Sequence, residues 1–354
     1  MKLLLVYQIC SFGGVETVLR NRAVGLRALG HEVRIALLED LGGGSVFDGL
    51  DDVEIEPGEG RLRTWLADES LEVVAAIDTP SLYPLVAKSG FRGRLVTEVH
   101  SNNFANMGYL ESVGASGSSR LLFPSLFQAE LVASRYPAVS ASDLAFSVVP
   151  NPVDTELFRF VPPEPAPTAP VYAWVGRLED QKNWRHFVEV AGGVARRRSQ
   201  ATFLLVGGIA APDVVKTELR ERVSVEGLLG RFRWLPALAY GRMPALYSAV
   251  AASGGCLVPT SSFEPFGMTA LEAMACRCPV VTARTGGLAE LVSDGGTGLC
   301  FDVGDTDAAV EQVLRVTDDG ALRARVVNGA ADRVEREFAS LPVARAWGEA
   351  VSAL

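Results

Sequence analysis

Short apolar runs recur along the chain, and most are followed by a stretch with helical character. Lys2-Leu3-Leu4-Leu5-Val6-Tyr7 opens the pattern as a buried strand and leads through a glycine loop into a helix predicted from about Val15 to Leu29. Gly30-His31 turns the chain into a second strand, Glu32–Leu37, and further strands are predicted at Val73–Ile77, Leu95–Val99, Leu121–Phe123 and Phe146–Val149. Gly42-Gly43-Gly44 and the stretch from Gly114 to Ser119 read as mobile loops. Five prolines between Pro162 and Pro170 forbid a helix or a central strand there, so this stretch reads as a linker. A second alternating half follows, with strands at Val171–Gly176, Thr202–Val206, Phe232–Leu235, Gly255–Val258 and Val280–Thr282, and a terminal helix over 339–354 containing Trp347. Strands alternating with helices imply parallel sheets and an α/β chain.

The stretch from Phe263 to Ala275 carries the most chemistry. From Thr269 onward Ala, Leu, Glu and Met favour a helix, while Pro265 and Gly267 keep the preceding residues out of one. The backbone N–H groups of Gly267, Met268 and Thr269 then lack partners inside the helix and sit at its positive end, where an anion binds well. Glu264 lies just before that point and Glu272 about two turns along. Amides for phosphate and carboxylates for hydroxyls suit a nucleotide sugar. Two solvated glutamates on an ordinary helix are the alternative. The flanking apolar runs, Gly254 to Pro259 and Cys278 to Thr282, make this a strand–loop–helix–strand unit, whose ligands bind at the carboxyl ends of the strands.

At 354 residues the chain has room for two domains. A net charge of −9 with no basic run argues against a nucleic-acid surface. The first apolar run is too short for a secretory signal, no stretch approaches the length of a bilayer span, and no basic amphipathic helix stands out. The expectation is therefore a cytoplasmic protein. The five cysteines lie in apolar surroundings and read as reduced, buried thiols; Cys276-Arg277-Cys278 lacks the second pair of a zinc site. Asp305-Thr306-Asp307 reads as a helix N-cap with a first-turn acid rather than a metal-binding D-x-D.

Ser262-Phe263-Glu264-Pro265-Phe266-Gly267, continuing to Cys278-Pro279-Val280-Val281, resembles the E-x7-E region of retaining glycosyltransferases of family 4. Three further segments match in family order: Phe12-Gly13-Gly14-Val15-Glu16, Val148-Val149-Pro150-Asn151-Pro152-Val153-Asp154, and Val175-Gly176-Arg177-Leu178-Glu179-Asp180-Gln181-Lys182-Asn183. The resemblance implies the GT-B fold, an α/β chain with two Rossmann-like domains facing across a cleft. It places an acceptor domain at 1–160, a donor domain at 161–338, and a terminal helix over 339–354 that crosses back to the first domain.

The same resemblance assigns roles. Arg177 and Lys182 become ligands of the donor diphosphate, fixed cations that stabilise charge developing on the leaving group and replace a metal. Glu264 takes the hydroxyls of the transferred sugar and Glu272 the nucleotide ribose, with Phe266, Gly267, Met268 and Thr269 lining the donor site. Gly13 and Gly14 let backbone approach the phosphates, although plain turn glycines read equally well. The spacing is not a dinucleotide fingerprint. Glu290, after Gly286-Gly287, resembles a recurrent family position or is a helix-start carboxylate. His100, at a strand end, would meet a sugar hydroxyl; His31 and His186 read as structural. Ser101, Asn102 and Asn103 are placed on the acceptor side. No metal and no cofactor are expected beyond the nucleoside diphosphate sugar itself, with UDP-linked donors ahead of GDP-mannose and a small molecule or glycan as acceptor. A bacterial source fits the Gly- and Ala-rich acidic composition. A nucleotide-sugar epimerase, a phosphorylase and a non-catalytic nucleotide-sugar-binding protein are the alternatives.

Overall fold

The first apolar run forms β1 (Lys2–Cys10), three residues longer than predicted. Leu3, Leu4, Leu5 and Val6 are all buried, because a parallel strand is covered on both faces. The computed structural model describes residues 1–101 and 103–353. They divide into two compact units, one of 1–154 together with the stretch from Glu337 on, the other of 155–336.

In the first unit β1 is joined by β2 (Glu32–Asp40), β3 (Val53–Ile55), β4 (Val73–Ile77), β5 (Arg94–Glu98), β6 (Arg120–Phe123) and β7 (Ala145–Val148). All pair parallel, in the order β3-β2-β1-β4-β5-β6-β7. The order reverses between β1 and β4, and the crevice outside the carboxyl ends of such strands is where ligands bind in doubly wound sheets. Helix Gly14–Ala28 follows β1, and helix Ser340–Ser352 packs against it. The approach is close at Gly25, where a Cβ would stand 2.1 Å from the Ser340 carbonyl oxygen. Trp347, on the second of these helices, is fully buried.

The two glycine loops expected to be mobile are tied down. Leu41 and Gly43 donate backbone N–H to the Cys10 carbonyl, and Gly44–Phe47 forms a 3-10 turn. In the second loop the hydroxyls of Thr97 and buried Ser118 meet at 2.6 Å.

The second unit repeats the plan. β8 (Val171–Val175), β9 (Thr202–Val206), β10 (Phe232–Leu235) and β11 (Cys256–Leu257) form a parallel sheet in the order β10-β9-β8-β11. β12 (Val281–Ala283) pairs with β13 (Leu299–Phe301), and a parallel bridge from Leu257 to Val280 brings β12 beside β11. The strand order therefore reverses between β8 and β11. Trp174, Trp184, Phe187 and Phe203 anchor the core. The proline stretch forms neither helix nor strand and falls within this unit; just before it, Val161 donates its N–H to Ser248 Oγ at 3.1 Å, and Phe158 packs on Tyr240. No helix among the described residues is long and apolar enough to cross a membrane. All five cysteines are free and buried, and Asp305 caps helix Thr306–Asp318 by accepting from the Ala308 N–H at 2.9 Å.

His186 lies in this core, 3% exposed, with its ring edge-on to Phe301 and both ring nitrogens without a hydrogen-bond partner among the described residues. Burial lowers its pKa from 6.5. Below pH 6.5 the unfolded chain takes up a proton that the folded state refuses, so stability falls on acidification. His186→Phe is expected to remove that acid-side loss and add about 1 kcal/mol near neutrality. Urea unfolding of both proteins at pH 5 and 7.5 reads the difference; an unchanged gap between the two pH values would contradict it.

Candidate active site

Neighbouring β8 and β11, paired Tyr172 to Cys256, send their following loops out side by side. After β8 the chain makes a 3-10 turn, Asp180–Lys182, ended by Asn183 in the left-handed region at φ 49°. Thr260, beyond β11, fastens the two loops: its hydroxyl donates to the Asn183 carbonyl at 2.8 Å and accepts from Trp174 Nε1 at 3.1 Å. The Ser262 N–H donates to the Gln181 carbonyl at 2.8 Å. This stitching brings two site residues together. Lys182 Nζ donates to Glu264 Oε2 at 2.5 Å, and Ser261 Oγ donates to the same oxygen at 3.2 Å. Both side chains are largely but not fully covered, at 18% and 13% exposure.

The helix expected from Thr269 begins one residue earlier, as Met268–Ala275. Gly267 is its N-cap at φ 112°, a conformation that glycine alone adopts cheaply, and a Cβ there would stand 2.5 Å from Leu288 Cδ2. The Gly267 carbonyl takes the Ala270 and Leu271 N–H groups, which leaves the amides of Met268 and Thr269 with no partner within the helix. The Gly287 N–H holds the Glu264 carbonyl at 2.8 Å. Glu264 thus holds a lysine ammonium with its side chain and stands four residues before the first residue of a helix with a positive end, groups suited to an anion beside an acceptor of hydroxyls.

Other residues are placed differently. Arg177 is exposed and pairs with Glu179 at 2.9 Å, not with the Lys182–Glu264 pair. Glu272 is 5% exposed and accepts from the Tyr247 hydroxyl at 3.0 Å. Burial outweighs that bond and pushes its pKa up to about 8. Phe266 is buried, and Glu290 is exposed on helix Gly286–Leu291.

In the first unit, Gly13 caps helix Gly14–Ala28 with extended backbone. A Cβ on Gly13 would stand 2.6 Å from Glu16 Oε2, and the other oxygen of Glu16 takes the Ser11 N–H and hydroxyl. His100 follows β5, with its side chain 5% exposed. Its Nε2 meets Glu98 Oε2 at 2.9 Å, and its backbone N–H donates to Asp78 Oδ2 at 3.0 Å. Ser101 and Asn103 are engaged in their own loop: Ser101 Oγ accepts the Asn103 N–H, and Asn103 Oδ1 caps the turn Phe104–Asn106 through the Ala105 N–H. Asn102 lies outside the described residues.

Two acids beside His100 escape the motif reading. Asp78 ends β4 at the strand-order reversal, in the left-handed region at φ 43°, and its Oδ1 also accepts from the Tyr109 hydroxyl at 3.2 Å. Burial pushes its pKa up to about 6. Glu98 is buried within β5. The only sequence signal for it is a charge inside the apolar run Leu95–Val99, which demands a partner.

Residues 158–333 match the family model for glycosyl transferases group 1. Among curated proteins, the chain is 30% identical over 167 residues to alpha-D-kanosaminyltransferase of Streptomyces kanamyceticus, covering 46% of this chain and 40% of that one. It is 33% identical over 174 residues to D-inositol 3-phosphate glycosyltransferase of Salinispora tropica, covering 48% of this chain and 35% of that one. The chain thus spans less than half the length of either relative. Among solved structures, Anabaena HepE in complex with UDP and glucose superposes with a TM-score of 0.82 at 21% identity, over 100% of both chains. Sucrose-phosphate synthase of Thermosynechococcus elongatus superposes with a TM-score of 0.81 at 18% identity, over 99% of this chain and 98% of that one. The fold is GT-B.

Proposed function

Proceeding from residues 158–333 as a glycosyl transferases group 1 domain, we propose that this protein is a retaining glycosyltransferase of family 4 that needs no metal. It moves a sugar from a nucleoside diphosphate sugar to a hydroxyl of a small or glycan acceptor. The observation that carries this reading is the Lys182–Glu264 pair beside the amino end of helix Met268–Ala275, at the strand-order reversal of the second unit.

Lys182 and the Met268 and Thr269 amides would bind the diphosphate, and Glu264 would accept from the transferred sugar. Arg177, on an exposed side chain of the same loop, would turn to the phosphates from its pairing with Glu179. Gly13 and Gly14 give a backbone approach to phosphate, and Glu272 with Tyr247 takes the ribose. His100, with Ser101, Asn102 and Asn103, belongs to the side of the acceptor. In the transfer the bond from the anomeric carbon to the phosphate oxygen breaks and a bond to the acceptor oxygen forms on the same face. The acceptor's proton passes to the departing phosphate. The cations act on charge that grows only as that bond breaks, so they accelerate rather than merely bind.

HepE was solved with UDP and with UDP-glucose, which supports a UDP-linked donor. Relatives named for transfer involving 2-deoxystreptamine and D-inositol 3-phosphate support a compact, hydroxyl-rich acceptor, and a cytoplasmic site of action suits such substrates. Thermal unfolding against UDP, GDP, TDP, ADP and their sugar conjugates in EDTA tests the donor site. A ligand at a hundred times its dissociation constant adds about 2.7 kcal/mol, a clear upward shift. One nucleotide standing out is expected. No shift with any would overturn the donor-site reading, and binding without transfer to any acceptor would favour an epimerase or a non-catalytic binder.

A further inference from the structure

Glu98 carries three donors from three elements. Oε2 takes Arg22 Nη1 at 2.5 Å and His100 Nε2 at 2.9 Å, and Oε1 takes Trp347 Nε1 at 2.7 Å. Arg22 comes from helix Gly14–Ala28, Trp347 from helix Ser340–Ser352 and His100 from the loop after β5. Arg22 and Glu98 are each 1% exposed, and the guanidinium lies 5.8 Å from the centre of the Trp347 ring. A carboxylate so far from water persists only when paired. Burial alone would raise its pKa, but the Arg22 charge and the bonds from His100 and Trp347 hold it down to about 2.

An ionised carboxylate can only accept, so the imidazole nitrogen facing it must carry the hydrogen. In a neutral histidine the other nitrogen is then the acceptor, and the partner on one side of the ring decides which. Asp78 fixes the same residue from the backbone, by taking the His100 N–H. Ring orientation, tautomer and main chain are therefore all set from within the first unit.

We infer that Glu98 is a positioning residue that locks His100 as its Nε2–H tautomer and presents Nδ1 as the acceptor for a sugar hydroxyl. The hydroxyl contact rests on the functional reading above; the tautomer does not. A residue serving fold stability alone would be indifferent to which nitrogen of His100 bears the proton. Trp347 ties the same carboxylate to the terminal helix, so seating of that helix and the orientation of His100 are one event.

Only three histidines are present, so long-range 15N–1H spectra of the whole labelled protein near pH 8 can be assigned with His100→Ala as reference. The wild type should show His100 protonated at Nε2 alone, and Trp347→Phe, which spares Oε2, should keep that signature. Glu98→Gln should move signal toward the Nδ1–H form and lower kcat about tenfold, the worth of one hydrogen bond, with donor KM unchanged. A wild-type ring protonated at Nδ1 overturns the inference without any variant having to fold. Nε2–H retained in Glu98→Gln also overturns it. Full turnover in His100→Ala would instead strike the hydroxyl contact and leave the tautomer assignment standing.

Discussion

Replacing Lys182 by alanine is expected to lower kcat by about a hundred- to a thousandfold, with a smaller change in stability. A preorganised donor aimed at charge that develops in the transition state is worth roughly 2.7–4 kcal/mol of barrier, and Lys182 is the cation that the loops after β8 and β11 hold in place. Its partner Glu264 keeps the Ser261 hydroxyl and some water contact at 13% exposure, so losing the lysine does not strand a fully buried charge. Arg177→Ala provides the contrast. That side chain is exposed and paired with Glu179, so its loss should cost less than the loss of Lys182. Steady-state kinetics with the preferred donor, beside thermal unfolding, read both. A kcat within threefold of wild type in Lys182→Ala would remove this pair from the chemistry.

Glu272→Gln is expected to separate stability from donor affinity. Burial raises the Glu272 carboxyl from 4.5 to about 8 against the lowering effect of the Tyr247 hydroxyl bond. A raised folded pKa means that the stability contributed by the protonated group is full below pH 4.5 and is lost as pH rises through about 8. A tenfold change in proton affinity between the folded and unfolded chains corresponds to about 1.4 kcal/mol. Glutamine mimics the protonated acid and never ionises, so the variant should match wild type near pH 4.5 and exceed it by on the order of 3–5 kcal/mol at pH 9. Nucleotide affinity should fall at pH 9, where the wild-type group is ionised and its carboxylate is a stronger acceptor for ribose hydroxyls than an amide oxygen. Parallel stability curves at both pH values, or unchanged nucleotide affinity, would go against this account of the residue.

Much of this was legible in the sequence where information is local. Continuous apolar runs marked most strands of both sheets, since a strand covered on both faces admits few polar residues. The short strands β3 and β13 were missed, whereas the comparably short β11 and β12 stood out because they flank the Phe263–Ala275 stretch. The Phe263–Ala275 stretch announced its own geometry: Gly267 at φ 112° ends the loop and the helix follows at once. That Lys182 would meet Glu264 followed only from the order of the strands. The network around His100 was beyond reach, because Arg22, Glu98 and Trp347 lie far apart in the chain and are joined by packing alone. The sequence shows Arg22 on the apolar stripe of Val18, Leu19, Ala23 and Leu26, an anomaly that calls for a partner without saying which. Arg177 illustrates the opposite limit: motif spacing suggested a pair of cations acting together, whereas here it faces solvent beside Glu179.

The central claim is transfer with retention and without metal, and water can stand in for the acceptor in testing it. The protein would be incubated in EDTA with the α-linked sugar nucleotide that raises its unfolding temperature most, and proton NMR would follow the first sugar released, before its anomers equilibrate. The expected result is nucleoside diphosphate release with the α-anomer formed first, lost in Lys182→Ala. First appearance of the β-anomer, or no release from any donor with or without acceptors, would contradict it.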